Sequence, residues 1–317
     1  MQASARSKAS IRAHLRCWKS RRNDLIDQPS HLTNDAADIL RDSDCNRIYF
    51  IQSKRWIAYT RAKQIFDLMN RLLVHPRTTR MPSLAVYGDS GMGKSILIEK
   101  FRDDHGIAFD AKTGVSQTRL LVVEMAGRPG ERRLYAQILA ALGAPHNPRS
   151  TIVDLEQSTL RLLRAVGVQI LIIDEVHNIV AGSWREQRVV LNTLRFLSNE
   201  LKISLVCFGI TEAREAINGD VQLARRFDVI TLPRWSANDE FEQLILAIIR
   251  NLPLHEPSVL TARGLRRILH VTNGVTARIF RLLNDLAIDA IETGTERITD
   301  QAIETWKPIT EEEAAFQ

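Results

Sequence analysis

The sequence has little cysteine and no long apolar segment. Its 317 residues include only three cysteines, Cys17, Cys45 and Cys207, and their spacing suggests neither a zinc site nor a disulfide framework. Such sparse cysteine is typical of a reducing compartment. The longest apolar runs, such as residues 170–173 and 203–210, have the length of strands, so we expect no membrane-spanning segment. The first residues carry no continuous apolar stretch, and no secretory signal is expected.

Acidic residues are absent from the beginning of the chain. The net charge is +6, and seven basic residues precede the first acidic one, Asp24: Arg6, Lys8, Arg12, Arg16, Lys19, Arg21 and Arg22. An excess of positive charge suggests a polyanionic partner such as DNA. We therefore expect residues 1–45 to form a basic N-terminal extension that contacts DNA or a partner protein. A transit peptide and a solvated, partly disordered arm fit the same composition.

Three glycines stand close together in one short stretch. Residues 83–95 form an apolar run that opens into the pattern G-x-x-x-x-G-K-S, which is typical of a phosphate-binding loop between a strand and a helix. The glycines allow a tight turn, Lys94 reaches the β- and γ-phosphates, and the Ser95 hydroxyl can bind Mg²⁺. The positive end of the following helix adds to the anion site. The predicted nucleotide-binding residues are Gly88, Asp89, Ser90, Gly91, Met92, Gly93, Lys94 and Ser95.

Apolar periodicity predicts strands that alternate with helices. Besides the run before the loop, strands are predicted at residues 119–124, 168–174, 203–208 and 228–232. Helices are predicted at residues 59–73, 134–142, 154–164 and 190–201. This alternation indicates an α/β fold with a parallel five-stranded sheet covered by helices. After Pro233 only helical stripes occur. The predicted domains are the extension at 1–45, an α/β domain at 46–235, and a small helical lid with a C-terminal tail at 236–317.

An acidic pair follows one of the predicted buried strands. Asp174 and Glu175 come directly after the apolar residues 170–173, and Asp174 lies 80 residues after Lys94. In a parallel sheet this strand end lies beside the phosphate loop. We expect Asp174 to hold Mg²⁺, directly or through water, and Glu175 to orient the water that attacks the γ-phosphate. A plain polar strand end is the alternative.

These motifs, in this order, resemble the AAA+ class of ATPases, and flanking stretches resemble the TniB/TnsC family of transposition ATPases. The stretches are Arg55-Trp-Ile-Ala-Tyr-Thr-Arg61, His75-Pro-Arg-Thr-Thr-Arg-Met-Pro82, Leu139-Ala-Ala-Leu-Gly-Ala-Pro145, Ile172-Ile-Asp-Glu-Val-His-Asn178 and Leu232-Pro-Arg-Trp235. The resemblance covers residues 46–306 and leaves the first 45 residues outside. It implies an AAA+ P-loop NTPase fold that uses ATP and Mg²⁺.

The resemblance also implies roles for residues outside the two motifs. Thr211 corresponds to the sensor that reads the γ-phosphate, although the family's Gly-Thr pattern is offset here by one residue. Arg226 corresponds to the arginine finger, and Arg278 to a second sensor that faces the phosphates from the lid. Tyr59 and Thr60 stand where related enzymes close over the adenine. Helix capping by Thr211 or Thr60 and solvated charges at the two arginines are the alternatives.

The loop after the second predicted strand is expected to face DNA. In ATPases of this type, elements at that end of the sheet face the central channel of the assembly. Arg128, Arg132 and Arg133 are therefore candidate DNA contacts, with Lys112 a weaker one, because basic side chains can follow phosphates without reading bases. A solvated helix start is the alternative. No helix-turn-helix or zinc pattern is evident in the sequence, so no base-specific readout is expected.

The expected function is that of an ATP-dependent DNA-binding regulator of transposition. Members of the family bind ATP, assemble into rings or filaments on DNA, and recruit or regulate a DDE-type transposase. Hydrolysis would act as an assembly timer, and a target-selector protein of the same element is a further candidate partner. The expected location is the bacterial cytoplasm, at the nucleoid. A replication-initiator or helicase-loader ATPase and a nucleotide-dependent signalling switch that does not bind DNA are the alternatives.

Overall fold

The structure is a computed structural model that describes residues 30–106, 108–110, 115–144, 147–218 and 220–307. The basic residues between Arg6 and Arg22, and Lys112, lie outside these ranges. The described strands are β1 (Ser83–Gly88), β2 (Ala108–Asp110), β3 (Val115–Gln117), β4 (Leu120–Glu124), β5 (Ile170–Asp174), β6 (Ser204–Gly209) and β7 (Phe227–Leu232). The described α-helices are α1 (Asn34–Ile39), α2 (Asp44–Gln52), α3 (Thr60–Val74), α4 (Lys94–Asp104), α5 (Glu131–Ala141), α6 (Ile152–Val166), α7 (Trp184–Leu201), α8 (Ala213–Asn218), α9 (Val221–Ala224), α10 (Asp239–Ile249), α11 (Ala262–Thr272), α12 (Thr276–Glu292) and α13 (Asp300–Thr305).

Five parallel strands form one sheet in the order β4-β5-β6-β1-β7. Every residue of β1 and β6 is buried, because helices cover both faces of the sheet, and strands in such a position are mostly apolar. Since all five strands are parallel, their carboxyl ends meet at one edge. Gly88 of β1, Asp174 of β5 and Gly209 of β6 end their strands at this edge. The expected five-stranded parallel sheet covered by helices is confirmed.

Alternate residues of the strands supply two cores, one on each face of the sheet. Tyr87, Ile173 and Cys207 belong to the core shared with α5, α6 and α7. Val86 and Ile172 belong to the core on the other face, shared with α3 and α4. The burial of the aromatic and branched side chains removes a large apolar area from water, which is the main force that holds helices on a sheet.

The helices after β7 form a third core, which includes helix α2 from far earlier in the chain. Leu244, Ile279 and Ile303 of the later helices and Ile51 of α2 are all buried in this core. Side-chain contacts strengthen the attachment of α2, because the Arg47 guanidinium donates to the Pro253 carbonyl oxygen at 2.8 Å and 3.0 Å. Residues 30–52 therefore pack on the helical lid.

Some elements were not predicted from the sequence. Strands β2 and β3 form an antiparallel pair, which lies between α4 and β4 in the chain. Each strand has three residues, which is too short to show a hydrophobic period in the sequence. The short helices α1, α8 and α9 were missed for the same reason. Among the described helices, none combines the length and apolar composition needed to cross a bilayer.

Candidate nucleotide-binding site

The loop between β1 and α4 has the conformation that a phosphate-binding loop needs. Gly91 and Gly93 have φ angles of +77° and +91°, values that residues with a Cβ rarely adopt. Helix α4 begins directly afterwards at Lys94, so its first N–H groups face the loop. The Lys94 amine donates to the carbonyl oxygens of Gly88 at 2.7 Å and Asp89 at 2.9 Å.

Lys94 is 7% exposed, which places a cation inside the site. Burial lowers its pKa, and the nearby carboxylates of Glu175, Asp174 and Asp89 act in the opposite direction. The carboxylates offset the effect of burial only in part, so an anionic ligand would further favour the charged form of the amine. A buried ammonium group at the start of a helix is suited to an anionic ligand.

Ser95 and Asp174 come together although they belong to different elements. The Ser95 hydroxyl donates to Asp174 Oδ2 at 3.3 Å, and Asp174 Oδ1 accepts from the Glu175 N–H at 2.8 Å. Two hard oxygen donors next to a phosphate-binding loop fit Mg²⁺, which is usually held by one or two protein oxygens and by substrate phosphates. When bound there, Mg²⁺ would neutralise negative charge on the phosphates.

Glu175 follows β5 in an unusual backbone conformation. Its φ and ψ angles are 54° and 36°, the left-handed region that costs a residue with a Cβ about 1–2 kcal/mol. Such strain is found at functional sites. Its carboxylate Oε2 lies 3.1 Å from His177 Nδ1, close enough for an ion pair but without the alignment of a hydrogen bond.

The phosphate loop, Glu175 and the lid enclose a cleft of about 630 Å³. Its remaining walls are residues 52–55 and one side of α12, including Phe280, Arg281 and Asn284. This volume is within the ordinary range for small-molecule sites, about 300–1,000 Å³. The Ala277 N–H donates to the Gly91 carbonyl oxygen at 2.9 Å, so the lid contacts the phosphate loop directly.

Arg55 is a residue of the cleft to which the sequence analysis assigned no role. Its guanidinium donates to the Asn251 carbonyl at 2.7 Å, the Ile51 carbonyl at 3.0 Å and Asn284 Oδ1 at 2.7 Å. Burial lowers its pKa to about 10. Arg55 thus joins α2, the loop after α10, and α12. Arg55 begins the stretch 55–61, which carries part of the family resemblance. A resemblance alone does not show where a side chain lies in the fold.

Residues at the end of β7 link the sheet to the lid. Arg234 Nε donates to Asp89 Oδ2 in the phosphate loop at 2.7 Å. Trp235 donates its backbone N–H to the Gly274 carbonyl at 2.9 Å and its indole N–H to Thr276 Oγ1 at 3.0 Å. These contacts hold the beginning of α12 beside the loop.

Tyr59 and Thr60 do not line the cleft. The ring of Tyr59 packs edge-on against Trp235 with centroids 5.2 Å apart, and burial raises its pKa to about 12. Tyr59 lines a separate cavity of about 140 Å³ with Met92. Thr60 is the first residue of α3, and Tyr59 is its N-cap residue without a side-chain cap hydrogen bond. The structure thus gives Thr60 no capping role.

The two sensor candidates are both exposed. Thr211 follows β6, which ends at the same sheet edge as the phosphate loop. Arg278 lies in the first turn of α12 but is not among the residues that line the cleft, whereas Arg281, three residues later, is. The structure therefore brings Arg281 rather than Arg278 to the cleft.

Arg226 lies at the opposite edge of the sheet. It precedes β7, and its carbonyl oxygen accepts from the N–H of Ser83, the first residue of β1, at 2.8 Å. Ser83 and Gly88 are the two ends of β1, and five steps of about 3.3 Å separate them by about 17 Å. Arg226 is therefore too far from the phosphate loop of its own chain to contact a nucleotide there.

The candidate DNA contacts lie after β4, near the carboxyl edge of the sheet. Arg128, Arg132 and Arg133 are exposed. Arg132 donates to the Pro148 carbonyl, Arg133 donates to the Arg128 carbonyl at 3.3 Å, and the Arg128 guanidinium lies 4.0 Å from a Glu186 carboxylate oxygen. These weak or neutral contacts leave most of the positive charge available. Lys112 lies outside the described residues.

Comparison with known proteins identifies the family. A family model described as "Bacterial TniB protein" matches residues 47–237, and no curated protein matches the chain. Among solved structures, the Aeropyrum pernix Orc1 protein in complex with DNA has a TM-score of 0.58 and 15% identity, with 81% of this chain and 68% of that chain covered. The Cdc6p of Pyrobaculum aerophilum has a TM-score of 0.57 and 18% identity, with coverages of 78% and 67%.

A third similar structure is the ORC2 protein of Aeropyrum pernix in ADPNP–ADP complexes, with a TM-score of 0.56, 16% identity and coverages of 80% and 69%. At these identities the similarity supports the AAA+ fold and nothing finer. The family model, in contrast, matches more than half of the chain and includes both nucleotide motifs. The chain therefore belongs to the TniB family, a transposition-associated family of AAA+ ATPases.

Proposed function

We propose that this protein binds ATP with Mg²⁺ and hydrolyses it to ADP and phosphate. The observation that carries this proposal is the contact of 3.3 Å between the Ser95 hydroxyl and Asp174, beside the buried Lys94 amine. Together they supply a cation and metal-binding oxygens for a triphosphate. Glu175 lines the same cleft and is the candidate to orient the attacking water.

The second part of the proposal is that ATP drives assembly of the protein on duplex DNA. Membership of a transposition-associated family supports it, and so does the exposed arginine group after β4. A similar structure, that of the Aeropyrum pernix Orc1 protein, is a complex with DNA. Contacts from arginines to phosphates give binding that is largely independent of sequence and weakens as salt rises.

The third part concerns the consequence of assembly. The ring or filament recruits or regulates a DDE-type transposase, with a target-selector protein as a further partner, and hydrolysis dismantles the assembly as a timer. The place of action is the bacterial cytoplasm, at the nucleoid. Arg226, which lies too far from its own phosphate loop, acts on the nucleotide of a neighbouring copy. Thr211 acts as a sensor of the bound nucleotide, and Arg281, which lines the cleft, takes the place expected for Arg278 as the second sensor.

Electron microscopy of the purified protein with a non-hydrolysable ATP analogue, with and without duplex DNA, tests the proposal. We expect regular assemblies with both ligands, and DNA affinity that falls steeply between low and moderate salt. Lys94→Ala, which removes the cation of the phosphate loop, should stay dispersed under the same conditions. Particles that stay single when saturated with the analogue and DNA would contradict the proposal.

The same samples separate the rival functions. A replication initiator or helicase loader would assemble in the same way but would retain a helicase instead of the transposase when the two are offered in equal amounts. A signalling switch would show neither DNA-stimulated hydrolysis nor salt-dependent retention on DNA. The family match favours the transposition role over both.

A further inference from the structure

A second cleft, of about 590 Å³, lies at the edge of the sheet opposite the phosphate loop. Its walls come from the loop before β1 and from the segment that leads into β7. Arg80, Arg225 and Arg226 line it together with His75, and Asp228 is the acidic residue among its walls. The cleft is concave, and three arginines contribute guanidinium groups to its lining.

The loop before β1 is held in a defined shape that presents Arg80. The Arg77 guanidinium lies 3.4 Å from the carbonyl oxygens of Leu201 and Val168 at the base of the sheet. The Thr78 hydroxyl donates to the Arg80 carbonyl oxygen at 3.1 Å, and the Met81 side chain is buried at 3% exposure. The residues around Arg80 are thus anchored while Arg80 itself is exposed.

Positive charges in and beside this cleft act on Arg226. Arg226 donates to Asn199 Oδ1 at 2.7 Å, a neutral partner. Burial lowers the pKa of Arg226, and the charges of Arg80 and Arg195 lower it further, while Asp220 raises it. The Arg195 charge is offset by Asp220 at 3.0 Å.

Within the described ranges, no carboxylate lies within ion-pair distance of Arg80 or Arg226. Like charges in a shared, partly desolvated cleft are unfavourable unless an anion joins them. The charge balance therefore favours an anionic ligand, and a guanidinium group matches phosphate oxygens better than any other side chain.

We propose that Arg80, together with Arg226, binds the triphosphate of a neighbouring copy. This inference rests on the proposed assembly, and it assigns Arg80 a catalytic role in trans. The concave shape suits a compact polyphosphate, whereas the arginines after β4, which are candidates for DNA, lie at the other edge of the sheet.

In the reaction, a water oxygen bonds to the γ-phosphorus and loses a proton to Glu175 of the copy that holds the nucleotide. The bond from that phosphorus to the bridging oxygen breaks, and ADP leaves with the electron pair. Arg80 would stabilise the charge on the transferred group.

Mixing of variants tests the inference. Arg80→Ala keeps its own phosphate loop, and Lys94→Ala keeps its own Arg80 and Arg226. We expect Arg80→Ala alone to hydrolyse ATP about 10- to 100-fold more slowly than the unsubstituted protein, because one charge-assisted contact is lost. The addition of Lys94→Ala subunits, inactive by themselves, should restore part of the rate, since their Arg80 can reach the nucleotide held by Arg80→Ala.

Controls separate this role from others. Arg41→Ala removes the same charge from an exposed position outside both clefts and should leave the rate unchanged. ATP affinity of Arg80→Ala, measured by calorimetry on dispersed protein, should stay unchanged and so show that its own site is folded. A slow rate without restoration on mixing, or an unchanged rate, would overturn the inference.

The result is distinguishable from failure of the proposed function. If the unsubstituted protein hydrolyses ATP and assembles, and Arg226→Ala is restored on mixing while Arg80→Ala is not, only the role of Arg80 is wrong. Loss of DNA binding by Arg80→Ala with a normal rate of hydrolysis would overturn the inference in favour of a DNA contact. If the unsubstituted protein neither assembles nor hydrolyses ATP, the proposed function itself is wrong.

Discussion

Ser95 and Asp174 are 79 positions apart in the sequence, yet the Ser95 hydroxyl donates to the Asp174 carboxylate at 3.3 Å. The contact exists because α4 begins and β5 ends at the same edge of the parallel sheet. β1 and β5 are separated by β6, so the pair bridges the width of one strand. The pair therefore predicts how ATP binding should depend on Mg²⁺.

Replacement of the hydroxyl should uncouple ATP binding from Mg²⁺. We expect Ser95→Ala to reduce the gain in ATP affinity that Mg²⁺ confers by at least about 10-fold, because one oxygen of the proposed metal site is lost. Titration calorimetry with and without EDTA measures this gain. Ser95→Thr keeps the hydroxyl and should behave like the unsubstituted protein. An equal gain in Ser95→Ala would remove Ser95 from the metal site.

Removal of the Glu175 carboxylate should separate binding from hydrolysis. Glu175→Gln keeps nearly the same shape and should bind ATP normally, but release phosphate about 10²- to 10⁴-fold more slowly, the usual contribution of a general base. The assembled state on DNA should persist for longer, which light scattering can follow after ATP is added. Normal turnover in this variant would show that Glu175 is not part of the mechanism.

The sequence predicted the parts of the fold that depend on local patterns. Residues 170–173 before Asp174 and residues 84–87 around Ala85 are all apolar, and the loop glycines have the spacing of a known turn. That Ser95 and Asp174 lie at one edge follows from the rule that parallel strands end together. These features need no knowledge of how distant segments pack.

Residues placed by tertiary packing could not be predicted in the same way. Arg55 reaches the cleft because α2 packs against helices some 200 positions later, as the contact of Arg55 with Asn284, 229 positions away, illustrates. The rotation of α12 about its axis decides that Arg281 rather than Arg278 lines the cleft. A helical period shows which residues share a face, but the docking of the lid decides what that face meets.

Arg226 should act across a subunit boundary. We expect Arg226→Ala to bind ATP with normal affinity and to lose hydrolysis by about 10³- to 10⁵-fold, the contribution typical of an arginine finger. Steady-state phosphate release measures the loss. Mixed with Lys94→Ala, the variant should regain part of its rate. No recovery at any ratio would mean that the residue does not act in trans.

The contact between Trp235 and the beginning of α12 gives a prediction about the lid. Gly274 has a φ angle of +64°, and a Cβ there would lie 2.3 Å from the Trp235 carbonyl oxygen. Gly294 has a similar φ angle of +71°, but nothing lies within 4 Å of the position of its Cβ. The two glycines therefore share the backbone requirement and differ in the space around them, which makes Gly294 a matched control.

Gly294→Ala should lower the free energy of unfolding by about 1–2 kcal/mol, the cost of a left-handed residue with a Cβ. Gly274→Ala should cost about 1–3 kcal/mol more, because the added methyl group forces apart two backbone segments. Chemical denaturation compares the two losses. Gly274→Ala should also weaken ATP binding, since the displacement moves Thr276 and Ala277 away from the phosphate loop, whereas Gly294→Ala should not. Equal losses of stability with unchanged ATP affinity would mean that the junction at Trp235 does not position the lid.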